Sequence, residues 1–185
     1  MKVFVRILMH LILAATIAVV ANTVSGQPQP GEYEVKAAFL YNFLTFVEWP
    51  TPIKREDTRR ICVLAEPPVL NAFDELHGQI ASGRKIEIIR VAPGENLGPC
   101  HVLFIGLQAE HDLPRIMKAL EGSSVLTIGD TAGFARQGVI INFYLQNKKV
   151  RFVIDAAAAR RAGIAISSKL LKLAGSVYGA APAGE

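Results

Sequence analysis

What this chain of 185 residues lacks is a recognisable centre of chemistry. No G-x-S-x-G segment is present to form a nucleophile elbow. Ser167-Ser168-Lys169 does not have S-x-x-K spacing, because the residues three after each serine are Leu170 and Leu171. Glycines 129, 133 and 138 form no phosphate fingerprint. His77, His101 and His111 stand at no metal-ligand spacing with the cysteines, and read as surface or strand-end residues. Asp130 and Asp155 read as single carboxylates without a visible mate, with Asp155 suited to cap a following helix. Asn142 and Arg151 read as a polar pair across two strands. No catalytic residue, metal or cofactor is therefore expected. Internal repeats and a second long apolar run are also absent, which leaves one domain.

Charge of one sign is scarce. Twenty basic residues face 16 acidic ones. The clusters Lys54-Arg55 and Arg59-Arg60 are interrupted by Glu56 and Asp57 and read as a solvated linker. A nucleic-acid partner is excluded on that basis. Cysteine is scarcer still, with only Cys62 and Cys100.

What is present begins with Met-Lys-Val-Phe-Val-Arg and an apolar run from Ile7 to Val20. Val24-Ser25-Gly26 follows as a small-residue cleavage site. This is the layout of a secretory signal peptide over residues 1–26, with a membrane anchor as the rival reading. Its removal takes Lys2 and Arg6 with it and leaves a net charge of about +2 on an exported, soluble chain. In such a compartment an even pair of cysteines suggests a disulfide. Two buried free thiols are the alternative.

The most apolar stretch of the mature chain is Glu34 to Pro50. Val35, Ala38, Phe39, Asn42, Phe43 and Phe46 share one side of a helix, with Leu40, Leu44 and Val47 as a second stripe. A surface helix hides one stripe and wets the rest. This one needs cover from two sides, either by the core alone or by the core and another chain. Phe39, Tyr41, Phe46 and Trp49 are the candidates for partner contact. Pro50 and Pro52 end the helix.

Beyond a polar linker, Arg60–Ala65 reads as a buried strand. A helix begins at Pro67-Pro68 and buries Val69, Leu70, Phe73 and Leu76. Strands follow at Lys85–Val91 and Cys100–Gly106, the latter apolar as for a strand covered on both faces. Asp112 and Pro114 open another helix. Val125–Ile128 is a fourth strand, and 129–134 a turn-rich connection with room for one short helical turn. Val139–Gln146 and Lys149–Asp155 form an antiparallel hairpin about Asn147-Lys148 at the sheet edge. Two short helices follow, the second capped by Ser167 or Ser168. The single domain covers residues 27–178, and 179–185 reads as a flexible tail. Strand and helix alternation gives an α/β fold: a three-layer sandwich, mostly parallel, with an antiparallel edge hairpin and helices on both faces. In a flavodoxin-like order the first and third strands are neighbours. That brings Cys62 and Cys100 within disulfide reach.

Several segments together resemble the YfiR family: YEVKAAFLYNFLTFVEWP, ICVLAEPP, FIG, LTIGD, GFARQGVIINFYLQNKKVRFVID and AGIAISSKLLKLA, spread from Tyr33 to Ala174. The resemblance implies a periplasmic protein that represses an inner-membrane diguanylate cyclase by binding its periplasmic sensor domain. It further implies sequestration by an outer-membrane lipoprotein, with cyclic-di-GMP output and biofilm formation rising on release. A homodimer is compatible with it. The best-studied relative carries two disulfides; Cys62 and Cys100 correspond to one of them. The competing reading of the residues is a small-ligand binding module that uses the strand-end crevice of the sheet.

Overall fold

A computed structural model describes residues 31–51 and 53–179. The expected leader, residues 1–26, and the tail from 180 onward lie outside the described residues. The elements in chain order are α1 (Glu32–Phe46), β1 (Val47–Glu48), β2 (Thr58–Leu64), α2 (Pro67–Asp74), β3 (Ile80–Ala81), β4 (Arg84–Arg90) and β5 (Val102–Ile105). Then come α3 (Leu113–Ala119), β6 (Leu126–Gly129), β7 (Ile141–Gln146), β8 (Lys149–Asp155), α4 (Ala156–Arg161), β9 (Ala165–Ile166), α5 (Ser168–Leu173) and β10 (Ser176–Tyr178). Short 3₁₀ segments lie at Ile53–Arg55, Leu107–Asp112 and Phe134–Gln137.

Eight strands form one sheet in the order β10-β8-β7-β6-β5-β2-β4-β3. The five from β4 to β7 are parallel. Read in chain order, these five give the flavodoxin-like arrangement, with the first and third as neighbours. β2 shows how the layers arise. Ile61 and Val63 point to the side of α1, while Cys62 and Leu64 point to the side of α3. Helices therefore cover both faces, and the molecule is a three-layer α/β sandwich.

The hairpin has the expected pairing, Ile141 with Ile154 and Phe143 with Phe152. Asn147 and Lys148 both take left-handed backbone (φ 51° and 60°), as a tight two-residue hairpin turn requires. The hairpin is not the edge, however. β10 adds in parallel outside β8, a strand too short and too close to the tail to show a pattern. A second short strand, β3, turns back on β4 through Ser82-Gly83, again with positive φ at both.

Asp155 caps α4 by accepting from the Ala158 N–H at 2.9 Å, and Ser167 caps α5 through the Leu170 N–H at 3.3 Å. Asp112 does not cap α3. It has helical backbone itself, because a 3₁₀ segment runs directly into the helix, and its carboxylate accepts from Arg115 instead. Asn142 does not pair with Arg151. The register sets it opposite Val153. Buried, it accepts from Ala135 N–H and donates to the Gly129 and Phe143 carbonyls.

Cys62 and Cys100 form a disulfide with Cα atoms 5.7 Å apart and 38 residues apart in sequence. It lies on the α3 side of the sheet among Leu103, Ile105 and Leu113. Cys62 sits near the end of β2 and Cys100 two residues before β5, so the bond closes a loop that holds α2, β3 and β4. Replacing both cysteines by alanine is expected to destabilise the domain by about 4 kcal/mol on the chain-entropy account, read from the urea midpoint. Non-reducing mass spectrometry is expected to find the two cysteine peptides joined; two alkylatable thiols in the protein isolated without reductant would contradict this.

Candidate functional site

Helix α1 is the element most exposed to functional demand. Its N-terminal turn carries Glu32 and Glu34, which suit the positive end of the helix dipole. Its inward stripe is Lys36, Ala37, Leu40, Phe43 and Leu44. Phe43 packs edge-on to Phe152 at 4.9 Å and stacks with Phe143 at 5.8 Å. The stripe is rotated from the expected one. Ala38 and Asn42 face solvent, and the buried lysine lies where only apolar residues were expected. The helix also stops at Phe46, three residues early. Val47 is extended (φ −117°, ψ 134°), and Val47–Glu48 pair with Ile166 and Ala165 of β9. A β-branched residue upstream of two prolines favours that exit.

Buried polar contacts pin both ends. At the carboxyl ends of the strands, Lys36 bonds Glu32 and Asp130, with the Tyr33 ring 4.8 Å from its ammonium. Asp130 thus has a mate, which the apolar look of the helix hid. Burial pushes the Asp130 carboxyl up, against the pull of Lys36. Burial alone would lower Lys36, but its hydrogen bonds to Asp130 and Glu32 outweigh that and raise it. At the amino ends, the Trp49 indole N–H donates to the His101 carbonyl at 3.3 Å. His101 is buried: its Nδ1 accepts from the Arg60 N–H and its Nε2 lies 3.2 Å from Glu56. Burial lowers its basicity, with Arg60 adding to the effect.

The four aromatic residues expected to meet a partner are placed differently. Trp49 is buried in the core at 4% exposure. Phe39, half-buried, packs edge-on to Phe152 at 5.6 Å. Tyr41, half-buried, donates to the Ile80 carbonyl at 2.8 Å. Phe46 is half-buried against the same core. Tyr41, Ala38 and Asn42 also line a groove of about 260 Å³, with Glu34 at its α1 end and Ala72, Glu75, Leu76 and Gln79 as its far wall. From Val35 to Val47 no exposed side chain of α1 is charged. Solvated helix faces are normally rich in charge, whereas the cores of protein interfaces are depleted in it.

The strand-end crevice borders the turn from β5 into the Leu107–Asp112 segment. It lies where β2 and β5 diverge, the usual ligand position in such sheets. The exposed side chain of Gln108 lies beside the Ala65 and Glu66 N–H groups, and accepts from them only with its amide turned to place the oxygen there. A Cβ on Gly106 would meet Gln108 at 2.8 Å and Ala65 at 3.1 Å, so glycine there lets the Gln108 side chain approach. Among the described residues no group of three His, Cys, Asp or Glu comes together as a metal site.

Lys36→Met leaves the buried Asp130 carboxyl without its cation, and is expected to cost about 3–5 kcal/mol. Lys36→Met with Asp130→Leu is expected to recover most of that, measured by urea unfolding. Because the folded-state pKa of Lys36 is raised, its contribution is whole below the ordinary value of 10.5. That contribution is lost as pH climbs through the folded value. The double variant should lose this alkaline component.

The comparisons with known proteins agree with this architecture. A crystal structure of a conserved domain protein from Vibrio cholerae O1 biovar El Tor strain N16961 superposes with a TM-score of 0.57 at 13% identity. The match covers 79% of this chain and 60% of that one. At that identity the likeness is one of fold, and this chain spans about 60% of the length of that protein. A family model of the YfiR/HmsC-like proteins matches residues 33–175. That span runs from the first turn of α1 to the residue before β10, so the chain belongs to the YfiR/HmsC-like family.

Proposed function

We propose that this protein is a non-enzymatic periplasmic regulator. It binds and represses the periplasmic sensor domain of an inner-membrane diguanylate cyclase, and so lowers cyclic-di-GMP signalling and biofilm formation. An outer-membrane lipoprotein that sequesters it would relieve the repression. Membership of the YfiR/HmsC-like family, whose role is regulatory, supports the reading. The observation that carries it is the uncharged outer strip of α1, where Ala38, Asn42 and Thr45 lie open beside half-buried Phe39, Tyr41 and Phe46. The Cys62–Cys100 bond fits an oxidising compartment. Among the described residues, no helix is long and apolar enough to cross a membrane.

The test is capture of a purified cyclase sensor domain by the folded protein. Ala38→Arg and Asn42→Arg place charge on the open strip without entering the core. Each is expected to leave the melting temperature within about 2 °C of the parent and to weaken capture at least tenfold. Trp49→Ala is expected to act differently, destabilising the fold by about 3–5 kcal/mol as a cavity mutation. Undiminished capture by both arginine variants would show that α1 serves the core alone.

A further inference from the structure

Arg59 was expected in a solvated linker, but it lies within β2 at 4% exposure. Its guanidinium rests on the Trp49 ring, 4.6 Å from the centroid. Nη1 donates to the Ile53 carbonyl at 3.0 Å, its one hydrogen bond among the described residues. No carboxylate among them lies within ion-pair distance of it; the nearby Glu56 is engaged by Arg60 and His101. Burial and the charge of Arg84 push Arg59 down to about 10, so it remains a cation at neutral pH. A buried cation without an anion is costly.

Arg59 lines a pocket of about 220 Å³ beneath the last turn of α1. Leu44, Val47 and Trp49 supply its apolar wall, and Glu48, Lys54 and Arg84 stand around it. Arg84 spends its donors on the carbonyls of Glu56, Ser82 and Lys54, yet its charge stays. Lys54 is held by Glu48 at 2.8 Å, an exposed pair that exchanges easily. The local balance is three cations to one carboxylate.

The geometry points to this pocket as a binding site for a small oxyanion, the carboxylate or phosphate group of a small molecule. The free edge of the Arg59 fork receives it, because a planar guanidinium matches both groups with paired hydrogen bonds. Arg84 and Lys54 add positive field, and the apolar wall accepts a short carbon chain. The site is at the amino ends of the strands, opposite the strand-end crevice.

Trp49 is the only tryptophan in the chain, so its emission reports directly on Arg59. The folded protein is titrated with sodium phosphate and, separately, sodium succinate, each against sodium chloride at equal ionic strength. At least one oxyanion is expected to shift Trp49 emission saturably, half-maximally at about 1 mM or below, with no response to chloride. A response to phosphate alone identifies phosphate-bearing ligands, and to succinate alone carboxylates. Arg59→Lys keeps the charge without the fork and is expected to weaken the response at least tenfold. Since a buried variant can misfold, Glu48→Gln on the exposed rim is the second arm, expected to tighten binding severalfold. Failure of both anions to give saturation, an equal response to chloride, or an affinity indifferent to Glu48→Gln would overturn the assignment.

Discussion

Helix α1 crosses the sheet from the carboxyl ends of the strands, where Lys36 meets Asp130, to their amino ends, where Trp49 meets His101 and Arg59. The rest of the structure depends on this crossing. The helix is too apolar to stand in water on three sides, so it must be laid on β2, β5, β6 and the hairpin. α2 closes on one flank, and Ser167 at the head of α5 ties to the Phe46 carbonyl. Burying its phenylalanines supplies the non-directional part of the stability. The ion pair at one end and the indole bond at the other fix its position along the sheet, because a shift of one turn would strand a buried charge.

The same crossing fixes which residues of α1 remain for the proposed protein partner. A helix whose inner stripe is held from both ends cannot rotate to hide the residues left outside. Ala38, Asn42 and Thr45 are small or neutral, so a partner that covers them desolvates no charge. The disulfide acts on the opposite face. It closes the loop that runs from β2 through α2 and β4 to β5, and leaves α1 untouched.

The layered order was legible because alternation in β2 and the runs in β5 and β6 carry the period of buried strands, and because Asn147-Lys148 marks a hairpin. The cysteine pairing followed from the strand order it helped to define. Four features were not legible. Lys36 sits in an apolar helix and Asp130 lies 94 residues away, so neither pattern nor spacing joins them; only the fold does. Arg59 looked solvated because its neighbours in sequence are charged, but strand alternation turns it inward while Arg60 reaches Glu56. β10 and β3 are edge strands of two or three residues, set by pairing with a neighbour and not by their own composition. Trp49 was read as outward because the helix was taken three residues too far. Once Val47 leaves the helix, the indole falls under the sheet end.

The most direct measurement is hydrogen–deuterium exchange on the full protein, alone and with a cyclase sensor domain bound. The account predicts that amides of the α1–β1 segment, residues 34–49, are further protected in the complex, while those flanking Cys62 and Cys100 are unchanged. Protection confined to the α3 face, with α1 exchanging as in the free protein, would contradict it.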